Sequence, residues 1–436
     1  MLTFSVINGL LVFIVSFFLS MYMIKDNKNI PLISWSLLAI ALVYGLGSIV
    51  IFNATYNGID YLRSDVVLFN IDIWPIYGFW VLVLMTGIIF GWKIPVFEKK
   101  YINYISKYSI ELKEKNFLIL AFVLLVLGLV LRWLYVQAFG GFIEYLEYNK
   151  AIRSAVFELK NPYSFLQPFG YLVVLSSYIF WALILRKYYL ILTILGFILS
   201  FIFSLYIYYS FAGRVGFILY LASFIVAYLL IRKFSAKLII FISALSFPIL
   251  ILIVYFLSLY FNIKGAESPS AFIIKEISFV YVSFFIQLSE GDLYRFFVDF
   301  ILSPTHFLPS SWTQGLYQTA TEVNTALFSG AKKGDQGVTG GIPVDLLTLG
   351  LMQSNLVGIF PVGVLFGMVI RRLDYFINLI PYSEIRNILL VFIALRIAFL
   401  GVLYSHPEHF TGGLFSFVVL FLIMFVINIF VRLRIG

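Results

Sequence analysis

Gly340-Gly341-Ile342-Pro343-Val344-Asp345-Leu346-Leu347 joins two unlike kinds of chain. On its N-terminal side, residues 262–342 mix charges, prolines and glycines, as a segment in water does. On its C-terminal side, residues 343–370 are almost wholly apolar and long enough to cross about 30 Å of hydrocarbon as a helix. Comparable apolar runs occupy approximately 4–24, 30–53, 73–92, 117–137, 166–185, 189–208, 215–231, 238–261, 387–405 and 412–431. Backbone inside a bilayer has to satisfy its own hydrogen bonds, and a helix does so within one segment. The pattern therefore predicts an all-α polytopic membrane fold of about eleven transmembrane helices, one integral membrane domain over 1–436.

Composition points the same way. Of the 436 residues, 62% are hydrophobic and 12% charged, far from the roughly 25% charge of a soluble globule. With no cysteine, disulfides, thiolate metal sites and thiol nucleophiles are excluded. The net charge of +9 suits basic cytoplasmic loops rather than nucleic-acid binding, and no nucleic-acid partner is expected.

Charge also sets the expected orientation. With the N-terminus outside and the C-terminus inside, the inner loops carry Lys25/Lys28, the basic stretch 93–116, Arg186/Lys187, Arg232/Lys233/Lys237, Arg371/Arg372/Arg386 and Arg432/Arg434. Acidic residues collect on the other side, at Asp60, Asp65, Asp72, Glu144, Glu147 and Glu158 and in the long loop. Residues 4–24 lack a basic leader region and a clear cleavage site, so they are expected to stay as a helix. Lys99-Lys100-Tyr101-Ile102-Asn103-Tyr104 marks 93–116 as an amphipathic cytoplasmic connector resting on lipid headgroups. Residues 262–342 become a large, partly helical periplasmic or extracellular loop before the ninth span. Within it, 271–288 carries Lys275 and Glu276 and is expected to lie in the interface or dip into a cavity lined by protein.

Arginines on the outer side run against the charge rule, and each near the membrane costs at least about 2.5 kcal/mol. Arg132, Arg153, Arg214, Arg295 and Arg396 fall there. Guanidinium forks bind phosphate oxygens in pairs and keep their charge, so these five are candidates for a diphosphate site. Arg396 sits inside a span with no acid in its own helix, and Arg214 lies at a turn between Gly213 and Gly216. Arg132 and Arg153 also fit snorkelling or pairing with Glu147 or Glu158. His306, between Pro304 and Pro309, is a candidate general base, with Glu290 of the Glu290/Asp292 pair a second. His406 and His409 flank Glu408 in a spacing that fits either a metal or plain solvation, and no metal is expected. Nucleotide-binding glycine loops, zincin helices and nucleophile elbows are all absent from the sequence.

The junction Gly340-Gly341-Ile342-Pro343, with Asp345-Leu346-Leu347, Gly350, Asn355-Leu356-Val357-Gly358 and the glycines from Gly363 to Gly367, resembles the bacterial Wzy-type O-antigen and polysaccharide repeat-unit polymerases. Gly140-Gly141 with Arg153 downstream, Gly213-Arg214 at the head of a span, Arg396 in a late span and the large loop before the junction extend the resemblance. Many members place a glycine eleven positions after a loop arginine; here Ser164 and His306 stand at those places after Arg153 and Arg295.

The resemblance implies a metal-independent, cofactor-free membrane glycosyltransferase of the bacterial cytoplasmic (inner) membrane, with its active site facing the periplasm or exterior. Its substrates would be oligosaccharide repeats on undecaprenyl diphosphate, polymerised into O-antigen or capsular-type polysaccharide. Bilayer lipids, a chain-length regulator and a flippase are the implied partners. In this reading Arg214, Arg396, Arg295, Arg132 and Arg153 hold the diphosphate, His306 or Glu290 is the base, and Gly340, Gly341 and Pro343 form the junction of loop and membrane. Two alternatives stay open: an O-antigen ligase, with a similar donor and another acceptor, and a lipid-linked oligosaccharide flippase or other transporter. A transporter would show internal symmetry and short loops on both sides, and neither is visible in the sequence.

Overall fold

The computed structural model describes residues 2–25, 30–95, 114–153, 161–210, 214–260, 268–291, 293–308, 317–333, 338, 341–378, 384–407 and 419. These residues form an all-α, multi-pass membrane protein with no strand among them. In chain order the helices are α1 (Leu2–Tyr22), α2 (Leu32–Tyr56), α3 (Ser64–Phe69), α4 (Trp74–Lys93) and α5 (Glu114–Gln137). Next come α6 (Glu144–Arg153), α7 (Tyr171–Leu185), α8 (Leu190–Ser210), α9 (Arg214–Ile231) and α10 (Ala236–Tyr260). The remainder are α11 (Pro269–Glu290), α12 (Val298–Ile301), α13 (Ala320–Ser329), α14 (Leu346–Ser354), α15 (Ile359–Asn378) and α16, which runs Glu384–Ile393, Ala394–Phe399 and Leu400–Leu403.

Nine helical stretches among the described residues are long and apolar enough to cross a membrane, and two shorter apolar ones, Val215–Ile231 and Ala236–Ser246, fall within α9 and α10. The expected span at 412–431 lies outside the described residues except for Val419, as does most of the basic connector 93–116. Within the expected loop, 269–290 is one of the nine, and its side chains from Val280 to Gln287 are buried. Apolar length therefore outweighed the two charges at its start, Lys275 and Glu276, in building a packed helix.

The stretch expected as one helix over 343–370 is broken. Asp345 caps α14, its carboxylate accepting from the Leu347 and Thr348 amides at 3.1 and 3.3 Å. Asn355, in a left-handed conformation with φ 55°, ends it. α14 then folds against α15 so closely that a Cβ on Gly350 would stand 2.7 Å from the Ile359 Cα. The periodicity of the sequence carries no trace of that turn, because both halves are equally apolar.

Glycines set the tightest packing, between α4 and α15. A Cβ on Gly91 would stand 2.1 Å from the Val364 carbonyl oxygen, and one on Gly367 2.2 Å from that of Ile88. Small residues let backbones approach where lipid gives no hydrophobic drive to association. Gly91→Val is expected to destabilise the protein by about 1–3 kcal/mol through overpacking. A lowered melting temperature in detergent would register this, and an unchanged one would mean that the two helices do not meet in this way.

Two spans carry a widened π-helical turn, Ala41–Leu46 in α2 and Ala394–Phe399 in α16. Such turns are rare and shift the carbonyl ladder by one residue. The two spans pack together: Ser36 donates to the Ala398 carbonyl at 2.7 Å, and Tyr44 reaches the Val402 carbonyl at 3.3 Å. The π turn of α16 contains Arg396.

Candidate functional site

α8 and α9 form a helical hairpin, and two of the expected arginines approach its tip from opposite faces of α8. From one side, Arg132 of α5 is fully buried and donates Nη2 to Ser210 Oγ at 2.6 Å. Its guanidinium carbon stands 4.9 and 4.8 Å from the ring centres of Tyr135 and Tyr145, an aromatic cage that spreads its charge. From the other side comes Arg396 of α16. Its Nη2 donates to Tyr171 Oη at 3.1 Å while the guanidinium lies 5.1 Å over the same ring.

Gly216, in the first turn of α9, makes room for Arg396. A Cβ there would stand 3.3 Å from Arg396 Nη1 and 3.2 Å from the Tyr208 ring. Arg214 opens the same turn, so the fold brings the backbone of Arg214 and the side chain of Arg396 to one place. Tyr208, buried on α8, packs beside Tyr171 at 6.1 Å between ring centres. Among the described residues no carboxylate pairs with Arg396; its recorded partners are a phenol oxygen and ring faces. A cation in a span without a counter-ion is costly, and an anionic ligand is one way to meet that cost.

A mostly apolar groove runs between α2, α9, α10, α11 and α16. Val215, next to Arg214, and Leu395, next to Arg396, both line it, and Leu38, Leu219, Ile277 and Phe399 continue its walls. Glu276 of α11 also lines the groove, so its wall carries one carboxyl group.

Arg295 belongs to a second centre. Its Nε and Nη2 donate to Asp299 at 2.7 and 2.9 Å, and Nη2 also meets the Gln318 carbonyl at 2.6 Å. Asp299, fully buried, further accepts from the Ala320 amide at 2.9 Å and Gln353 Nε2 at 3.0 Å. His406, at the end of α16, places Nε2 3.7 Å from the same carboxylate. One carboxylate therefore ties together the loop, the head of α13, the end of α14 and the end of α16. Burial alone pulls the Asp299 carboxyl upward, but His406, Arg295 and Gln353 outweigh it and hold it well below the usual carboxylate range. Because the folded value is depressed, its stabilisation is present above the ordinary carboxylate range near pH 4 and is lost only as the pH falls towards the depressed value.

The other expected residues are spread around these centres. Arg153 closes α6, and His306 lies in a short 3-10 helix, Ser303–Phe307. Glu290, at the end of α11, lies 3.8 Å from Arg63, whose Nη1 donates to the Leu327 carbonyl at 3.2 Å. Gly341 is exposed, and the chain beyond it threads under α13: the Ile342 amide donates to Thr325 Oγ1 at 2.9 Å, and Asn324 reaches the Ile342 and Pro343 carbonyls at 3.3 Å. Asp292, Gly340, Glu408 and His409 lie outside the described residues. No cluster of three metal-ligating side chains occurs among the described ones.

Asp299, Gln353, Tyr171 and Tyr208 did not stand out in the sequence. Only Asp299 carried a signal there, an acid four positions after Arg295. No family model, no curated protein and no solved structure matches this chain.

Proposed function

We propose that the chain polymerises oligosaccharide repeat units carried on undecaprenyl diphosphate, on the outer face of the bacterial cytoplasmic membrane. The observation that carries this reading is Arg396: a cation within a span, free of carboxylates among the described residues, placed against the first turn of α9 where Arg214 begins. The groove lined by Val215 and Leu395 suits the prenyl tail of the same molecule. Arg132 stands behind the hairpin tip and adds positive charge. Arg295, with its fork on Asp299, serves the reading by holding this segment to the head of α13 and the end of α14.

In the reaction, a hydroxyl of the incoming lipid-linked repeat attacks the anomeric carbon of the growing chain. The bond from that carbon to the diphosphate oxygen breaks, and undecaprenyl diphosphate leaves. A loop base, His306 or Glu290, takes the hydroxyl proton. Guanidinium groups fixed in advance stabilise the charge that develops on the leaving diphosphate.

Binding of a short-chain polyprenyl diphosphate to the detergent-solubilised protein tests the assignment. Hydrogen bonds to charged groups are worth about 1.5–3 kcal/mol, so Arg214→Ala and Arg396→Ala are each expected to weaken binding about tenfold or more. Lys332→Ala, on an exposed turn, is the control. Unchanged affinity in both arginine variants would contradict the assignment.

A further inference from the structure

We infer that residues 294–301, in a segment the sequence places in water, form with Val357 an apolar wedge that is embedded in the hydrocarbon of the bilayer. Tyr294, Phe296, Ile301 and Val357 are 57, 68, 70 and 77% exposed, although the chain beside them is firmly held. Three backbone hydrogen bonds lock the segment to the end of α14: Arg295 N to Met352 O at 3.1 Å, Phe296 N to Gln353 O at 2.9 Å, and Asn355 N to Leu293 O at 2.8 Å. Backbone groups paired in this way are what irregular chain at membrane depth requires.

Local conformation turns the apolar side chains outward. Phe296 and Phe297 both adopt left-handed backbone, with φ 47° and 63°, which is uncommon for bulky side chains and persists only where the surroundings hold it. Arg295 points inward to the buried Asp299, while Tyr294 and Phe296 stand outside with ring centres 6.0 Å apart. An inward cation on a buried acid and outward aromatics is the reverse of a segment surrounded by water.

Depth identifies what lies on the other side. α15 runs parallel to α4, with Gly363 against Leu84 and Gly367 against Ile88. Its first turn meets the C-terminal half of α4: a Cβ on Gly87 would touch the Phe360 carbonyl at 2.5 Å. At 1.5 Å per residue, Gly87 lies about 20 Å along α4 from Trp74. Val357 precedes that turn directly, and Phe296 is bonded to the residues just before it. The wedge therefore lies alongside the span and not beyond its end. The same two helices also expose large apolar side chains, Ile76, Phe79, Phe90 and Phe360. At that depth the partner is the acyl chains of one leaflet.

The chain has no cysteine, so a single introduced one carries a label at a known place. Full-length Phe296→Cys, Ile301→Cys and Val357→Cys, each bearing a nitroxide, are reconstituted in phosphatidylethanolamine–phosphatidylglycerol vesicles. Asp60→Cys, on an exposed turn, is the reference. Collision with oxygen, which concentrates in hydrocarbon, is compared with collision with a water-soluble nickel chelate. The expected ratio of oxygen to nickel accessibility is several-fold higher at the three wedge positions than at the reference. A ratio equal to the reference would place the segment in water and overturn the inference. Exclusion of both reagents would overturn it too, since protein would then cover the face. Ile301 and Val357 have negative φ or lie outside the strained pair, so they decide the matter even where the Phe296 variant disturbs its own turn.

Discussion

Arg396→Ala is expected to reduce polymer synthesis by about 100-fold to 1000-fold, the loss typical when one preorganised donor to developing charge is removed. The size follows from the surroundings. Arg396 donates to Tyr171 at 3.1 Å and stacks on its ring, so the guanidinium is held in place before substrate arrives. No reorganisation is then required when charge develops on the leaving diphosphate. Arg396→Lys keeps the charge but loses both the fork and the stacking, and an intermediate loss is expected. Tyr171→Phe removes the hydrogen bond while leaving the ring face, so it is expected to cost less than either. Gel ladders of polymer made by each variant, normalised to folded protein, give the order. Full activity of Arg396→Ala would remove Arg396 from the reaction.

Asp299→Ala is expected to be the most destabilising single change at the loop. It strands the Arg295 guanidinium, whose side chain is 9% exposed, without its carboxylate. Removing one member of a buried ion pair costs about 3–5 kcal/mol, because the remaining charge is left uncompensated. The Ala320 amide and Gln353 lose their acceptor in the same step. The effect spreads, since four separate elements meet on that carboxylate. Limited proteolysis is expected to cut the variant within 293–333 under conditions that spare the parent protein. Asp299→Asn keeps the shape but turns an acceptor into a partial donor facing Arg295, so it too is expected to loosen the loop. Proteolytic resistance equal to the parent in both variants would mean that the hub does not hold the loop. In mild acid the parent protein is expected to keep the loop docked, because the depressed Asp299 remains ionised there.

The spans were legible because crossing a bilayer demands length and apolarity, and both are properties of a contiguous run such as 117–137 or 189–208. The break between α14 and α15 was not, since it depends on how Gly350 meets Ile359 and on the left-handed Asn355. Arg396 stood out as a charge in a span, which composition alone displays. Its setting did not, because Tyr171 lies 225 positions away along the chain and Gly216 on a third helix. The π-helical turn that carries Arg396 has no sequence signature at all. Arg295 shows the opposite case: its partner Asp299 was only four residues distant, yet its bond to that residue was masked by the more conspicuous Glu290/Asp292 pair.

In the proposed function this chain joins repeat units on a lipid diphosphate through Arg396. The most direct measurement uses the purified protein in vesicles, supplied with one lipid-linked oligosaccharide repeat and nothing else, with products resolved by gel electrophoresis. A ladder of lipid-linked oligomers is expected from the parent protein and unextended substrate from Arg396→Ala. Movement of the labelled repeat across the bilayer with no ladder, from either protein, would contradict the proposed function and identify a transporter instead.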